Sequence, residues 1–478
     1  MNAARSAAPE RIRAENLADG RRIAVLDDDP TGSQCVHGVS VAMTVSAEAF
    51  RPGLRDAGDT CFILTNTRGL DEGSAVSLTR QAVKDLFSLD LDGPLDIVSR
   101  SDSTLRGHVV AEINAIADAY ERASGNGVDG VLFCPAMMEA GRTTAGDVHF
   151  AKVNGEDIPV GETEFARDST FGYRSSNLRD FLAEKSSGAV RNITSISLET
   201  IRTGGTDAVA DLLKRVSDLT WVVVNATSYD DLETVVLGLR QAQRAGKHFI
   251  YRSGPSFVRP LAGLGPVDVL QPADIDIETR RKPHGLVVIG SHVGLTTRQV
   301  RAAQNLRTLT EIELDVPTLL GPDGDTHIQA AIDRVVRGLD HSDVLIYTSR
   351  DLVTADSPEA SLRLSMRVSD AVVRIVAATR DALPAWVVAK GGITSHEVAV
   401  RGLGIRRATV VGQFLPGQIS LFRPEEAPSD VLGCPYVVFP GNVGSDGALA
   451  HVISVMHDAV GLKRAAGATT DQRDEGTE

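Results

Sequence analysis

The sequence predicts an α/β protein of two domains with mainly parallel sheets, and three observations carry that expectation. Short apolar runs alternate with segments of helical period along most of the chain, which is the pattern of α/β folds. The runs are continuously apolar rather than alternating, as in strands buried within a parallel sheet. A stretch rich in Gly, Pro and Asp, residues 261–284, interrupts the pattern once and reads as a linker. A length of 478 residues also exceeds what a single core usually supports.

The first strand lies in RIAVLDDDPTG, residues 22–32, where Ile23, Ala24, Val25 and Leu26 are followed by Asp27, Asp28 and Asp29 and a Pro-Thr-Gly turn. Strands follow at 61–66 (CFILTN) and 95–99 (LDIVS), with a helix over 72–87 between them. Leu105, Val109, Ile113, Ile116 and Tyr120 recur at spacings of four, four, three and four, one face of a further helix. Residues 130–134 (GVLFC) predict a buried strand. Residues 139–176 are Gly-, Thr- and Asp-rich with little periodicity, so a long loop or small excursion over a site is expected. Strands resume at 221–225 and 248–251. Beyond the linker come strand-like runs at 285–290, 343–348, 386–392 (WVVAKGG), 408–412 and 436–444 (YVVFPGNVG), with helices from about Thr296, near 358–380 and around Leu449, Val452, Ile453 and Met456. The expected domains are therefore 21–260 and 285–460. Residues 1–20 and 461–478, polar and rich in small residues, are expected to be disordered tails.

Composition narrows the partners. A formal net charge of -14 argues against nucleic acid or an anionic membrane, both of which need a basic face. Cys35, Cys61, Cys134 and Cys434 are widely spaced with no CxxC, so neither a zinc site nor a disulfide framework is indicated, and a cytoplasmic setting fits. No run approaches the roughly 18 apolar residues of a membrane span, and the N-terminus lacks the apolar core of a signal peptide.

Ligands of open α/β sheets bind at the carboxyl ends of strands, where the three aspartates are expected. Adjacent carboxylates repel, so a fold that collects them usually places a cation, a proton or a polyhydroxy ligand among them, although a solvated acidic turn would read the same way. Asp27-x-Asp29-x-Thr31 also has the form of the nucleophile motif of haloacid-dehalogenase phosphatases. That chemistry wants a downstream Lys and a strand followed at once by an acidic pair; Asp230 and Asp231 come several residues after VVVNA. Gly125-x-Gly127-x-x-Gly130 closes a helix instead of opening one, so it reads as a turn, and there is no GxxxxGK[ST].

SRSDSTLRGH, residues 99–108, joins a strand to a helix and offers Ser101, Ser103 and Thr104 hydroxyls, the Asp102 carboxylate, and Arg100 and Arg106. Hydroxyls and N–H groups at a helix start suit an anion, and Asp102 suits a sugar hydroxyl; Ser103 or Thr104 could equally cap the helix. PAMMEAGRTTAGDVHF, residues 135–150, adds Arg142 and His149, of which Arg142 is weighted higher, and TNTRG adds Arg68. Arg68, Arg106 and Arg142 at one sheet edge could bind a carboxylate bidentately. In the second domain the glycines Gly290, Gly391-Gly392, Gly417, Gly441 and Gly444 follow strands, with Ser291, Ile393 and Thr394 beside them. Each alone could be a tight turn; several on one sheet edge suit a phosphate cradled by main-chain N–H groups.

The order DDPTG, TNTRG, SDSTLRGH, PAMMEAGRTTAGDVHF, then GS, TT with a following Gln, GGITS and PGNVGSDGAL resembles the four-carbon acid sugar kinase family over about residues 22–455. The resemblance implies ATP-dependent phosphorylation of the terminal hydroxyl of a short sugar acid such as threonate, erythronate or an oxo-tetronate. It also implies an N-terminal domain for the acid, a C-terminal domain for the nucleotide, and an active site in the cleft between them. Asp28, Asp29, Thr31 and Gly32 match the family's Asp-Asp-x-Thr-Gly, with Asp28 the expected catalytic residue. Asp29, Arg68, Asp102, Ser103, Thr104, Arg106 and Arg142 are then expected on the substrate, and Ser291, Gly391, Gly392, Ile393, Thr394, Gly417, Gly441 and Gly444 on the nucleotide. ATP, Mg²⁺ and the sugar acid are the implied ligands, with a homodimer as the assembly considered. A phosphatase using Asp27 and Asp29, or a binding protein without turnover, stands as the alternative. The chain departs from the family pattern at Ile393 and at Phe439-Pro440.

Overall fold

The structure, a computed structural model, describes residues 7–29, 31–290, 294–306, 309–349 and 358–474. The chain divides into two compact units, Met1–Val267 and Asp268–Glu478. The first contains strands β1 (Arg22–Asp27), β2 (Ser40–Ala42), β3 (Thr60–Leu64), β4 (Leu95–Arg100), β5 (Gly130–Cys134), β6 (Arg142–Ala145), β7 (Val148–Val153), β8 (Glu156–Pro159), β9 (Ile193–Ile196), β10 (Thr220–Val224) and β11 (Phe249–Ser253). Eight of these, among the described residues, form one parallel array in the order β2-β3-β1-β4-β11-β5-β10-β9. Every residue of β1, β3, β5 and β11 is buried, which is why each carries a run of consecutive apolar residues rather than an alternating pattern. In that order β1 lies between β3 and β4, so the winding reverses at β1 and the loops after β1, β3 and β4 converge at their carboxyl ends.

The second unit contains β12 (Leu286–Ile289), β13 (Leu309–Leu314), β14 (Asp343–Thr348), β15 (Val387–Lys390), β16 (Arg407–Leu415), β17 (Ile419–Glu426) and β18 (Tyr436–Phe439). The strands β13-β14-β12-β15-β18 are parallel, and an antiparallel β17 and then β16 extend them. Here β12 lies between β14 and β15, which gives a second reversal point at its carboxyl end.

Three expectations are corrected and a fourth is narrowed. Residues 1–20 do not form a frayed tail throughout, because Ala8–Ala18 is a helix with Ile12 and Asn16 buried and the Asn16 side-chain amide donating to Leu261 O at 3.0 Å. Its buried residues are Pro9, Ile12 and Asn16 while Leu17 is exposed, so no apolar stripe of helical period is there to read. Residues 461–474 continue the helix Ala448–Asp474, which their Ala-rich composition favours, and Lys463 reaches Asp276 at 2.6 Å. Within 261–284, Leu270, Ile275 and Ile277 join the second unit's core, so the stretch is irregular but packed. Within 139–176, of the long loop or small excursion expected, the structure has the excursion: β6, β7 and β8 form an antiparallel sheet.

Candidate active site

The carboxyl end of β1 places the three aspartates in different surroundings. Asp27 is completely buried, and its carboxylate accepts from Arg100 at 2.7 Å and from the Asp29 amide at 3.1 Å. Asp29 turns outward, pairs with Arg68, and accepts from the Thr31 hydroxyl at 2.6 Å and amide at 2.8 Å. Asp28 is buried, and neither carboxylate oxygen has a hydrogen-bond partner among the described residues; Arg100 approaches one of them only to 3.8 Å. Burial pushes both Asp27 and Asp28 up to about 6, against the opposing pull of Arg100 on the first and of Arg68, Arg100 and Arg252 on the second.

The loop after β4 supplies the next layer. Burial alone would raise Asp102, yet Arg68 and Arg106 hold its carboxyl well below the usual carboxylate range. Arg106 donates to it at 2.7 Å, Arg68 lies 3.7 Å away, and the Thr104 hydroxyl also donates to it. Gly107, at φ +118°, brings the backbone close to Asp28: a Cβ there would stand 3.1 Å from both Asp28 Oδ2 and Arg252 Nη2. A side chain is disfavoured at this φ and would press on the aspartate. Ser103 and Thr104 do not cap a helix. The helix Val109–Ser124 begins with His108 at its cap, without a side-chain capping bond, while Ser103 and Thr104 turn into the site.

Arg142, on β6, completes the cluster. Its guanidinium donates to Ser103 Oγ at 2.7 Å and lies over the Phe165 ring at 5.4 Å. It has no carboxylate within ion-pair distance among the described residues, unlike Arg68, Arg100 and Arg106. His149, by contrast, is a structural histidine: it is fully buried, bonded to Ser103 O at 2.8 Å and to Thr144 Oγ1 at 2.9 Å, and burial pulls its pKa down to about 4. Asp28, Asp29, Arg68, Asp102, Ser103, Thr104, Arg106 and Arg142 are thus brought into one network. Two members were not legible beforehand: Arg252 on β11, which donates to Ser99 at 2.7 Å, and Glu112, which pairs with it.

In the second unit the glycine loops meet at the carboxyl ends of β12, β15 and β18. Gly290 abuts the Thr394 side chain, and the Gly391 amide donates to Phe439 O at 2.8 Å. Gly391 has φ +116°, a conformation open chiefly to glycine. Gly441 O accepts from Thr296 at 3.1 Å, Gln299 donates to Val443 O and Ser445 O at 2.9 Å, and the Gly444 amide donates to Gln418 in the turn that contains Gly417. Gly392 borders open space, and Ile393 is 77% exposed, too solvated to be a core residue. Ser291 lies outside the described residues, as does Pro30. The residue that sequence reasoning passed over is Lys390, at the end of the apolar run WVVA. It is buried, donates to Pro440 O at 3.0 Å and Gly441 O at 3.3 Å, and burial pulls its pKa down to about 7.

Comparison with known proteins agrees with this division. A sugar-binding N-terminal domain model matches residues 23–261, and a nucleotide-binding C-terminal domain model matches residues 286–449. The chain belongs to the four-carbon acid sugar kinase family. Within this kinase family, a D-erythronate kinase of Heliobacterium modesticaldum is 26% identical over 269 residues, 55% of this chain and 54% of that protein. The alignment therefore spans about half the length of that curated relative. Two solved structures share the family fold. A Haemophilus influenzae protein of a domain family of unknown function superposes with TM-score 0.64 at 17% identity, over 91% of this chain and 100% of its own. A Salmonella typhimurium protein provisionally named a tRNA synthase gives TM-score 0.67 at 17% identity, over 90% and 98%. At these identities the two structures speak to the fold alone.

Proposed function

We propose that this family member is an ATP-dependent kinase acting on the terminal hydroxyl of a short sugar acid of the threonate, erythronate or oxo-tetronate type. The observation that carries the reading is Asp28, a buried carboxylate without a hydrogen-bond partner among the described residues, set among arginines and raised to about 6. Such a group is mostly ionised at neutral pH and is free to accept a hydroxyl proton. Arg142, with no acidic partner of its own among the described residues, takes the acid's carboxylate, and Asp29 and Asp102 receive its hydroxyl groups. Ser103 positions Arg142, and Thr104, Arg68 and Arg106 position Asp102 and Asp29. Phosphoryl transfer needs alignment and charge neutralisation more than covalent help, which suits a site built from ion pairs.

The glycine loops after β12, β15 and β18 are the proposed nucleotide side, with Gly391, Gly392, Thr394, Gly417, Gly441 and Gly444 around the phosphates and Lys390 bracing the loop at Pro440 and Gly441. Among the described residues Asp446, exposed and paired with Arg298 at 2.9 Å, is the carboxylate that these loops offer. Mg²⁺ is commonly held through one or two carboxylates, waters and substrate phosphates, where it would neutralise charge. Four buried free thiols suit a reducing compartment. No helix among the described residues is long and apolar enough to cross a membrane.

The test is ADP release on a panel of four-carbon acids with Mg-ATP, headed by erythronate, the acid in the relative's name. Turnover with one acid is expected, and Asp28→Asn should lower it by about 10²–10⁴-fold, as loss of a general base does, while nucleotide binding persists. Unchanged turnover in that variant would sink the role of Asp28. Tight ATP binding without ADP release across the panel would favour a non-catalytic binding protein. Nucleotide-independent phosphate release would revive the phosphatase alternative, which the geometry opposes: Asp27, its nucleophile, is completely buried against Arg100, and Asp29 is held by Arg68 and Thr31.

A further inference from the structure

The second unit holds another cluster of ligating side chains, away from its glycine loops. His284 precedes β12 and Asp343 opens β14; the two strands pair in parallel, Leu286 against Val344, so both residues lie at the amino-terminal edge of the sheet. The glycine loops lie at the opposite, carboxyl edge. His457, on the helix Ala448–Asp474, reaches the same amino-terminal edge.

Asp343 is buried at the centre. Its Oδ1 accepts from the Gly285 amide at 2.8 Å, which fixes the carboxylate, and its Oδ2 stands 3.1 Å from His457 Nδ1. His284 Nδ1 stands 3.6 Å from Oδ1 and is buried with no hydrogen-bond partner among the described residues. The two imidazole rings stack at 6.1 Å with 25° between their planes, and one ligand atom from each residue lies within 4.8 Å of the others. A hydrogen-bonded His–Asp pair would account for His457 alone and would leave the buried His284 nitrogen unsatisfied.

We propose that His284, Asp343 and His457 bind one divalent transition-metal ion of the zinc class. Donor atoms at about 2.0–2.2 Å around a tetrahedral ion stand about 3.3 Å apart, so small side-chain rotations close the triad. Two imidazoles and one carboxylate are the donor set of zinc and its neighbours; Mg²⁺ prefers oxygen ligands, so this site is chemically distinct from a Mg-nucleotide site. His457 is 40% exposed on its side chain, which leaves room for water as a fourth ligand. Bound metal would tie the C-terminal helix to the sheet edge and stabilise the folded unit by mass action.

The experiment uses the full chain, stripped with chelator and free of nucleotide, titrated with ZnCl2 by calorimetry and by thermal unfolding. One zinc per chain and a raised Tm are expected, with His457→Ala and His284→Ala each weakening zinc affinity at least about tenfold. His457 is half-exposed, so its variant should fold, and circular dichroism checks this. Co²⁺ on the wild-type chain gives an independent readout: visible d–d bands of tetrahedral intensity are expected. Absence of zinc binding, binding unaffected by both variants, or an equal Tm rise with Mg²⁺ would each overturn the proposal.

Discussion

Three neighbouring aspartates with one chemistry acquire three roles from their surroundings. Asp27 is buried against Arg100, Asp29 is oriented by Arg68 and Thr31 with acceptor capacity to spare, and Asp28 alone has neither oxygen engaged among the described residues. A base that must be ionised loses function on protonation, so kcat/KM should fall on the acid side with an apparent pKa of about 6 that belongs to the Asp27–Asp28 pair. A pH-rate profile with no acid limb between about pH 5 and 7 would contradict this. Stability runs the other way for these two groups. Folded, they bind protons more tightly than an unfolded Asp at about 3.9, so their contribution is full below about pH 4 and is lost as pH rises through about 6. Asp102, held low by Arg68 and Arg106, contributes in the opposite sense: its stabilisation is present above about pH 4 and is lost on acidification. Arg142→Ala should raise KM for the sugar acid by about 10–100-fold, the cost of a hydrogen bond to a charged group, with a smaller change in the Kd for ATP. Steady-state kinetics with acid and ATP varied in turn separates the two effects, and equal changes in both would remove Arg142 from the acid's carboxylate.

At the scale of elements, the fully buried strands were legible, whereas the partly exposed β2, β9, β13 and β17, the caps, the hairpins and the packed tails were not. Buried parallel strands such as β1, β5 and β12 show as apolar runs because both faces are covered. The β6-β7-β8 sheet carried a local signal that periodicity missed: Gly146-Asp147 and Asn154-Gly155 both take positive φ, the requirement of tight hairpin turns. The segment read as loop because strands of four to six residues, half exposed, hold too few apolar positions to show a period. The helix Ala8–Ala18 is similar, since its burial rests on few side chains. Ile12→Ala should therefore destabilise the first unit by about 2–5 kcal/mol, as for other buried large-to-small changes. Chemical denaturation measures this, and a change under about 0.5 kcal/mol would mean the helix is not docked in solution.

At the scale of the molecule, a net charge of -14 coexists with a local collection of guanidinium groups at one sheet edge. The two units should respond to different ligands. In hydrogen exchange, a sugar acid should protect residues 27–32 and 100–107, and ATP should protect 390–395 and 441–447; protection of the first set by ATP alone would reverse the proposed assignment. The amino-acid sequence by itself determined the α/β class, the division into two parts and the strand ends at which the chemistry collects, because each is written in local runs of apolar residues and the turns that end them. It also brought out the motifs of the four-carbon acid sugar kinase family, because those are contiguous strings. What tertiary structure decided is which of the collected groups is free to act. The unengaged state of Asp28, the absence of an acidic partner for Arg142 among the described residues, and the meeting of His284, Asp343 and His457 all depend on residues far apart in the chain. Burial and pairing are sums over neighbours in space, and no local window of sequence contains them.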